Sequence, residues 1–514
     1  MIAARPAPLS GARASARAAW LDGPLGVGLA MALPVIAVQF VNPPSLGVLV
    51  LLVAAIPWLA KAPHRGLYIV LAAATGLEIF GLAFPDSLTD RTGIFLNLSA
   101  SPFFKGLAIT PMELLLLTLG ALWVIHSAGA RINAWRGGPL TAAYVALTLC
   151  VIVAEIRGLM AGGDFNISLW EARPQVYGFV AFVLATSMVR DRSILARLAM
   201  VLLVAAVLKA GVADWRYFVT LHGDLGGRES VLSHEDSFFL VLYLTATLAS
   251  AIWYRASHFR LLLLGAAPVT AALLVNERRA GIAALAVAIG VLAVLAIRYE
   301  REQRGRLLAI AGGLGVAGTA YVVLLWNHTN GATGQLVRAV RSVIDPASTR
   351  DSLSDLYRVA ENANLRATLE SSPVLGIGFG LPFHTPFPMA DISKYYSLWN
   401  YIPHDTIMWV GVRMGIVGYL VFWCLVGLAI LQAIHLLGTS TDPLLRAFAG
   451  FAAAAIAAEL IVGYTDLQLE NYRNMLFLGG LFGVLNCAAQ LRGIMASRPA
   501  MGVGPGRRDA RGPG

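Results

Sequence analysis

The chain has 514 residues, of which 57% are hydrophobic and only 13% are charged, and its mean hydropathy is +0.69. An average soluble domain carries about 25% charged residues, so this composition excludes an ordinary soluble protein. The formal net charge of +10 lies mostly in short loops on one side of apolar runs, which indicates the positive-inside rule and no nucleic-acid partner. The three cysteines, Cys150, Cys424 and Cys487, fall inside apolar runs and indicate neither a disulfide framework nor a thiolate metal site.

Long apolar runs recur from Leu25 almost to the C-terminus. Each has about 17 to 25 residues, the length that a helix needs to cross about 30 Å of hydrocarbon. The runs are continuous rather than alternating, which favours helices over strands. We predict an all-α, polytopic membrane protein with about 12–14 membrane helices. The predicted segments are a cytoplasmic N-terminal tail over 1–24, membrane helices over 25–326, a large outer loop with short helices over 327–404, further membrane helices over 405–491, and a disordered basic cytoplasmic tail over 492–514.

Basic residues fix the predicted orientation in the membrane. With the N-terminus inside, Lys61, Arg131, Arg190 and the basic run over 298–306 all fall in short cytoplasmic segments. Short loops rich in Lys and Arg stay in the cytoplasm. Both termini are therefore expected inside, and the loop over 327–404 is expected on the outer face.

Two adjacent arginines, Arg278 and Arg279, break this pattern in the outer segment NERRAG. Paired cations at the membrane face cost free energy unless an anion is bound nearby. The pair therefore predicts an anionic ligand. The alternative is a contact with lipid headgroups or an ion pair with Glu277.

Another outer segment, LGGRESVLSHEDSFF, places several ionisable residues at the start of a predicted membrane helix. These are Arg228, His234, Glu235 and Asp236. Acidic residues in a first helical turn are typical of capping, which is the interpretation we favour for Glu235 and Asp236. A metal site is the alternative, but adjacent residues on one helix rarely converge on one ion, so we predict none.

Ionisable residues inside the predicted spans are scarce, the main ones being Glu78, Lys209, Arg413 and Glu459. Ion-coupled carriers need charged groups along the transport path and often show internal repeats. The sparse charge argues against such a carrier, and we see no repeat between the two halves of the chain.

The outer loop itself carries ordered segments. Its stretch SLSDLYRVAENANLRATLES predicts a helix over 352–371, which begins at a capping-box-like pair of Ser352 and Asp355. Arg358, Asn362 and Arg366 recur every four residues and would share one helical face. The glycine-rich run GIGFG over 376–380 follows, where the backbone can turn tightly or approach a ligand closely.

Aromatic residues precede the last predicted feature of the loop, His404. Tyr395, Tyr396, Trp399 and Tyr401 are typical of the aromatic belt at a membrane interface, and a stacking platform for a sugar ring is the alternative. A partly desolvated imidazole at the entry to a membrane helix is suited to act as a general base near neutral pH. We therefore select His404 as the candidate catalytic residue.

Several of these segments, in this order and on this side, resemble the O-antigen ligase and polymerase superfamily of bacterial membrane glycosyltransferases. The resemblance covers roughly residues 170 to 430. It is carried by WEARPQVYGFVAFVL, NERRAGIAALAV, DLYRVAENA, SPVLGIGFG and PHDTIMWVGVRMGIVGYLVF.

The resemblance implies a GT-C-like helical fold with a large periplasmic loop and an undecaprenyl-pyrophosphate-linked glycan as donor. In the family the periplasmic histidine stands in a PHN-like context, which falls on His404 here, with Asp405 in place of the usual asparagine. The family arginines that hold the donor pyrophosphate correspond to Arg173, Arg279 and Arg358, with Arg278 as an alternative to Arg279.

The resulting hypothesis is an inverting, metal-independent transfer that needs no cofactor. His404 takes the proton of the acceptor hydroxyl while the arginines neutralise the pyrophosphate, because guanidinium groups offer bidentate contacts. The expected acceptor or sugar contacts are Tyr396, Trp399, Tyr401 and Asp405. The protein would act in surface polysaccharide synthesis, whether lipopolysaccharide or exopolysaccharide, at the periplasmic face of the bacterial inner membrane.

The sequence leaves the acceptor open. A ligase uses lipid A core, a polymerase uses a second lipid-linked glycan, and a protein-glycosylating relative uses Ser or Thr. Outside the resemblance, the alternatives are a polysaccharide flippase or other membrane carrier, and a non-catalytic partner of other polysaccharide-assembly proteins.

Overall fold

The computed structural model describes residues 23–79, 88–100, 106, 108–226, 228, 230–254, 259–345, 352–394 and 396–496. Most of the predicted N-terminal tail lies outside these residues. So do Tyr395 and most of the predicted C-terminal tail.

The described residues form sixteen α-helices and no strand. In chain order the helices are α1 (Pro24–Val38), α2 (Pro44–Lys61), α3 (Arg65–Gly76), α4 (Pro111–Gly129), α5 (Thr141–Met160), α6 (Phe165–Met188), α7 (Arg192–Trp215), α8 (His234–Trp253), α9 (Phe259–Val275), α10 (Arg279–Tyr299), α11 (Arg304–Leu324), α12 (Gly331–Ile344), α13 (Ser352–Ser371), α14 (Thr406–Thr439), α15 (Pro443–Thr465) and α16 (Tyr472–Ala496).

Within the described part of the chain, nine helices are long and apolar enough to cross a membrane. Three shorter apolar helices accompany them, namely α1, α3 and the apolar part of α9. A helix satisfies its own backbone hydrogen bonds, which is what a segment surrounded by lipid requires. The prediction of an all-α polytopic membrane protein is confirmed.

The bundle is built around two packed groups of helices. The helix α16 runs along α6, and α15 lies against α8, α10 and α14. The first pair is close because glycines face each other, so that a Cβ added at Gly479 would lie 2.0 Å from the carbonyl oxygen of Gly178. Small residues allow such close approach between membrane helices, where side-chain packing rather than exclusion of water drives association.

Glu78, Lys209, Asp236 and Arg473 meet in the interior, and we call them the buried ion cluster. Arg216 Nη1 also lies 3.7 Å from Glu78 Oε1. Lys209 Nζ lies 2.5 Å from Glu78 Oε1 and 3.4 Å from Asp236 Oδ2, and Arg473 Nη2 lies 2.5 Å from Asp236 Oδ1. All four side chains are almost completely buried. The cluster joins the end of α3 to α7, α8 and α16. Asp236 also accepts from the Ser233 backbone N–H at 3.2 Å, so the expected cap at the start of α8 is confirmed.

The segment between α11 and α14 contains two helices. The helix predicted over 352–371 is confirmed as α13, with the same bounds. The second helix, α12, lies in a stretch where no particular helix was predicted. Both helices pack at the end of the bundle where α10 and α14 begin.

Candidate active site

The glycine run Gly376–Gly380 fastens the loop to the bundle. The N–H of Gly378 donates to the carbonyl oxygen of Arg413 at 3.1 Å. Gly376 and Gly378 have φ of +70° and +86°, and a Cβ on either would lie 2.4 Å from the backbone of Arg413 or of Gly158. Only glycine accommodates that conformation at that distance. The close approach expected here is therefore to α5 and α14.

A buried ion pair holds the same region from the other side. Arg413 Nη2 lies 2.6 Å from Glu171 Oε1, and both side chains are fully buried. The guanidinium also donates to the carbonyl oxygens of Gly378 at 3.0 Å, Leu381 at 2.6 Å and Tyr401 at 2.7 Å. A guanidinium can satisfy several carbonyls at once because its donors form a planar fork. Arg413 thus fixes the chain on both sides of the loop exit.

His404 lies directly after this fixed point and pairs with Glu361 of α13. Its Nδ1 is 3.2 Å from both carboxylate oxygens, and its backbone N–H donates to Glu361 Oε2 at 3.0 Å. The ring of Tyr357 packs edge-on against the imidazole, with centroids 5.7 Å apart. The His404 side chain is 22% exposed and that of Glu361 only 1%. A carboxylate at Nδ1 orients the ring and leaves Nε2 to face a substrate.

Asp405, next to His404, begins α14. Its Oδ1 accepts from the backbone N–H of Met408 at 2.9 Å, which is the contact of a helix cap. Burial raises the pKa of Asp405 to about 6, and the neighbouring Glu361 carboxylate adds to the effect. Asp405 thus supports the helix start on which His404 stands.

A second carboxylate, Asp466, pairs with His234. Its Oδ2 is 2.7 Å from Nδ1 of His234. Burial opposes ionisation of Asp466, but the nearby His234, Arg278 and His404 outweigh that effect and hold its pKa below the usual range. The carboxylate therefore connects the surroundings of His404 with those of Arg278.

Beside Asp466 opens a cavity of about 1690 Å³, which we call the arginine cavity. Arg279 forms a bidentate pair with Asp355 at 2.8 and 3.0 Å, and Arg358 lies 3.8 Å from the same carboxylate. Arg278 donates to the Ser230 hydroxyl at 3.0 Å. The arginines that line the cavity are Arg228, Arg278, Arg279, Arg338 and Arg358.

The arginine cavity is also lined by four acids, Asp224, Glu277, Asp355 and Asp466, and it has an apolar part. Three residues of α13, namely Leu353, Leu356 and Val359, line it and are more than half exposed. The membrane helix α10 adds Ile282 and α12 adds Val343. Cationic and apolar surfaces in one cavity suit an amphiphilic anion.

Arg173 lies in a different environment from the other predicted donor contacts. Its Nε is 3.2 Å from Glu113, and its Nη1 donates to Asn97 at 2.8 Å. Glu113 belongs to the capping box that starts α4 with Thr110. The structure brings Arg278, Arg279 and Arg358 together at the cavity and places Arg173 between α6 and α4.

The predicted aromatic contacts form a turn before His404. The backbone N–H of Trp399 donates to the carbonyl oxygen of Tyr396 at 3.3 Å, and Tyr401 supplies a carbonyl to Arg413. Burial raises the pKa of the Tyr396 phenol, and nearby carboxylates, Glu470 foremost, raise it further. These rings therefore lie close to the site, although the ring in contact with His404 is that of Tyr357.

The sequence interpretation missed Glu361, Asp466 and Arg338. Glu361 follows Arg358 by three residues on the same predicted helix, so helical spacing placed it near a selected residue. Apolar residues at 336, 337, 340 and 343 would have revealed α12, and with it Arg338. Asp466 gave no local signal, because its partners are distant in sequence. Among the described residues no group of three or more His, Cys, Asp or Glu side chains could hold a metal ion.

Residues 261–423 match a family model described as O-Antigen ligase. The matched region runs from α9 to the middle of α14, so it includes the arginine pair, α12, α13 and His404. A comparison with curated proteins found no match. The family match confirms the resemblance to the O-antigen ligase and polymerase superfamily, and it supports an O-antigen ligase-like, glycosyltransferase-like function in surface polysaccharide synthesis.

Proposed function

We propose that this protein transfers a glycan from undecaprenyl pyrophosphate to an acceptor hydroxyl at the periplasmic face of the bacterial inner membrane. The observation that carries the proposal is that one helix, α13, supplies both Glu361, the partner of His404, and Arg358, which lines a cavity with cationic and apolar parts. A lipid-linked pyrophosphate has the same two parts, and the reaction needs a base beside its sugar.

The donor head is assigned to Arg278, Arg279 and Arg358. Arginine forms two parallel hydrogen bonds to a phosphate, which lysine cannot do. Arg279 makes such a bidentate contact with the Asp355 carboxylate, and the donor phosphate would take the place of that carboxylate. The isoprenoid chain would lie against the apolar walls contributed by α10 and α13. Arg173, which the resemblance also implicates, keeps its donor role as a prediction to be tested.

The transfer step uses His404 as general base. Nε2 takes the proton of the acceptor hydroxyl, whose oxygen forms the new bond to the anomeric carbon. The bond between that carbon and the phosphate oxygen breaks, and its electron pair leaves on the lipid pyrophosphate. Glu361 at Nδ1 stabilises the imidazolium that forms, as a carboxylate does in other histidine-based sites. Attack opposite the leaving group inverts the anomeric configuration, and the arginines neutralise the released charge without a metal ion.

The acceptor is assigned to the side of His404 that carries Tyr357 and the turn of Tyr396, Trp399 and Tyr401. Aromatic faces and polar edges suit a sugar ring. Two acceptors of this chemistry are lipid A core and a second lipid-linked glycan, and Asp405 acts there by fixing the start of α14. Other polysaccharide-assembly proteins would supply the donor.

The test is reconstitution of the purified full chain in lipid bilayers with an undecaprenyl-pyrophosphate-linked glycan and each of the two acceptors in turn. We expect product with one acceptor, and a transfer rate at least about 100-fold lower from His404→Ala. The matched control is His328→Ala, because His328 is exposed, bonds to Thr333 and does not line the arginine cavity. Transfer by His404→Ala at the wild-type rate would contradict the proposal. Donor movement across the bilayer without any transfer would instead indicate a flippase.

A further inference from the structure

The residue before the arginine pair has an unusual backbone. Glu277 has φ of +52°, in the left-handed region that residues other than glycine seldom occupy. It lies in the turn between α9 and α10, and Arg278 and Arg279 follow it directly. Such a conformation persists only where surrounding contacts hold it, and it sets the direction of the next residues.

Arg338 of α12 supplies those contacts. Its Nη1 lies 3.0 Å from Glu277 Oε2, and its Nη2 donates to the Glu277 carbonyl oxygen. Both side chains are nearly fully buried, at 3% and 4% exposure. The Arg338 guanidinium thus binds both the side chain and the backbone of Glu277. Breaking a buried pair of this kind costs folding free energy, because it leaves a charge without compensation.

The same helix also faces the arginine cavity. Val340 and Val343 of α12 line the cavity, while Arg338 reaches the turn that begins α10. The helix therefore touches both the apolar wall and the support of the arginine pair. The directions of the Arg278 and Arg279 side chains therefore depend on the position of α12.

We propose that Arg338 is a positioning residue, which holds Glu277 in the left-handed conformation and thereby directs Arg278 and Arg279 towards the anionic head of a lipid pyrophosphate. The proposal rests on the proposed function for the identity of that ligand. It predicts an effect on donor affinity rather than on the transfer step, because His404 and Glu361 lie on other elements.

Substitutions at residue 277 distinguish a positioning role of Arg338 from direct binding of the ligand by Arg338. Glycine occupies the left-handed region without support, whereas alanine does not. We expect Arg338→Ala and Glu277→Ala each to raise the donor KM about tenfold with little change in kcat, since a left-handed residue other than glycine costs about that factor in population. Glu277→Gly should retain most of the wild-type affinity. In the double variant Arg338→Ala with Glu277→Gly, loss of Arg338 should have no further effect.

The experiment measures binding of undecaprenyl pyrophosphate to the purified full chain, alongside donor KM and kcat. Arg341→Ala is the matched control, because Arg341 lies one turn further along α12 and donates to the Trp326 carbonyl. If Arg338→Ala weakens binding equally with Glu or Gly at position 277, Arg338 contacts the ligand directly and the positioning role is overturned. Unchanged binding in Arg338→Ala would overturn it as well. Failure of the wild-type chain to bind the probe would instead contradict the donor assignment of the proposed function, and the role given to Arg338 with it.

Discussion

The buried ion cluster and the arginine cavity both concentrate charge, but water reaches only one of them. In the cluster, two acids and two bases lie within 2.5 to 3.4 Å of each other and are shut away from solvent. In the cavity, five arginines and four acids line a space of about 1690 Å³. A charge buried in a membrane protein is tolerated when it is paired. Charge that is clustered and reached by water is what a ligand of the opposite sign can use.

The largest effect is expected at the edge of the cavity. His404→Ala should lower the rate of transfer by about 10²–10⁴-fold, the usual contribution of a general base. Its thermal unfolding midpoint should stay close to that of the wild type, because the side chain is partly exposed. Steady-state kinetics and thermal unfolding in detergent measure the two quantities. An equal fall in stability and activity would place His404 with the structural residues.

The buried ion cluster should respond in the opposite way. Asp236→Ala leaves Lys209 and Arg473 without their shared carboxylate, and breaking a buried pair costs about 3–5 kcal/mol of folding free energy. We expect a markedly lower thermal midpoint and poor recovery from the membrane. Glu302→Ala, at an exposed acid, serves as the control. A wild-type thermal midpoint in Asp236→Ala would show that the buried ion cluster is not structural.

Substitutions of two arginines distinguish a contact with the donor from a structural contact. Arg279→Ala should raise the donor KM about 10-fold or more, since hydrogen bonds to a charged group contribute about 1.5–3 kcal/mol. Arg173→Ala removes a contact with Glu113 and should act mainly on stability. Donor titrations with both variants decide the matter. A KM effect in Arg173→Ala alone would support the donor role that the resemblance gives to Arg173 and remove the one assigned to Arg279.

A smaller effect is expected from Asp405. Its folded-state pKa of about 6 lies above the usual value of 3.8, so the folded protein binds the proton more tightly and loses stability as pH rises from about 4 to about 6. Asp405→Asn keeps the cap on α14 and removes this loss. After allowance for solvent screening, the variant should be about 1–2 kcal/mol more stable at pH 7 and equal to wild type below about pH 4. Thermal midpoints across that pH range test the expectation, and an unchanged pH profile would contradict it.

The smallest expected effect is that of a chelator. Because arginines neutralise the leaving group in the proposed mechanism, a metal chelator should leave the rate of transfer unchanged. Loss of activity that magnesium restores would show that the arginine cavity needs a cation for its chemistry.

The fold and part of the candidate site could be predicted because short segments of the sequence specify them. Uninterrupted apolar runs specify membrane helices, and the arginine pair was visible because Arg278 and Arg279 break a rule of sidedness. Glu361 was missed because its partner His404 lies 43 residues away, and the three-residue spacing from Arg358 indicates only that the two share a helical face. The resemblance likewise suggested Arg173 but could not show its partner Glu113, which another part of the chain brings next to it.

The glycine run before His404 also bears on how the protein is made. Gly378 contacts Gly158 of α5 on one side and Arg413 of α14 on the other. More than half of the polytopic segment lies between these two helices in the sequence. A chain that has inserted only its earlier helices cannot yet form this junction. We therefore expect the candidate site to be completed late in biogenesis, after α14 enters the bilayer, so that partly inserted molecules are inactive.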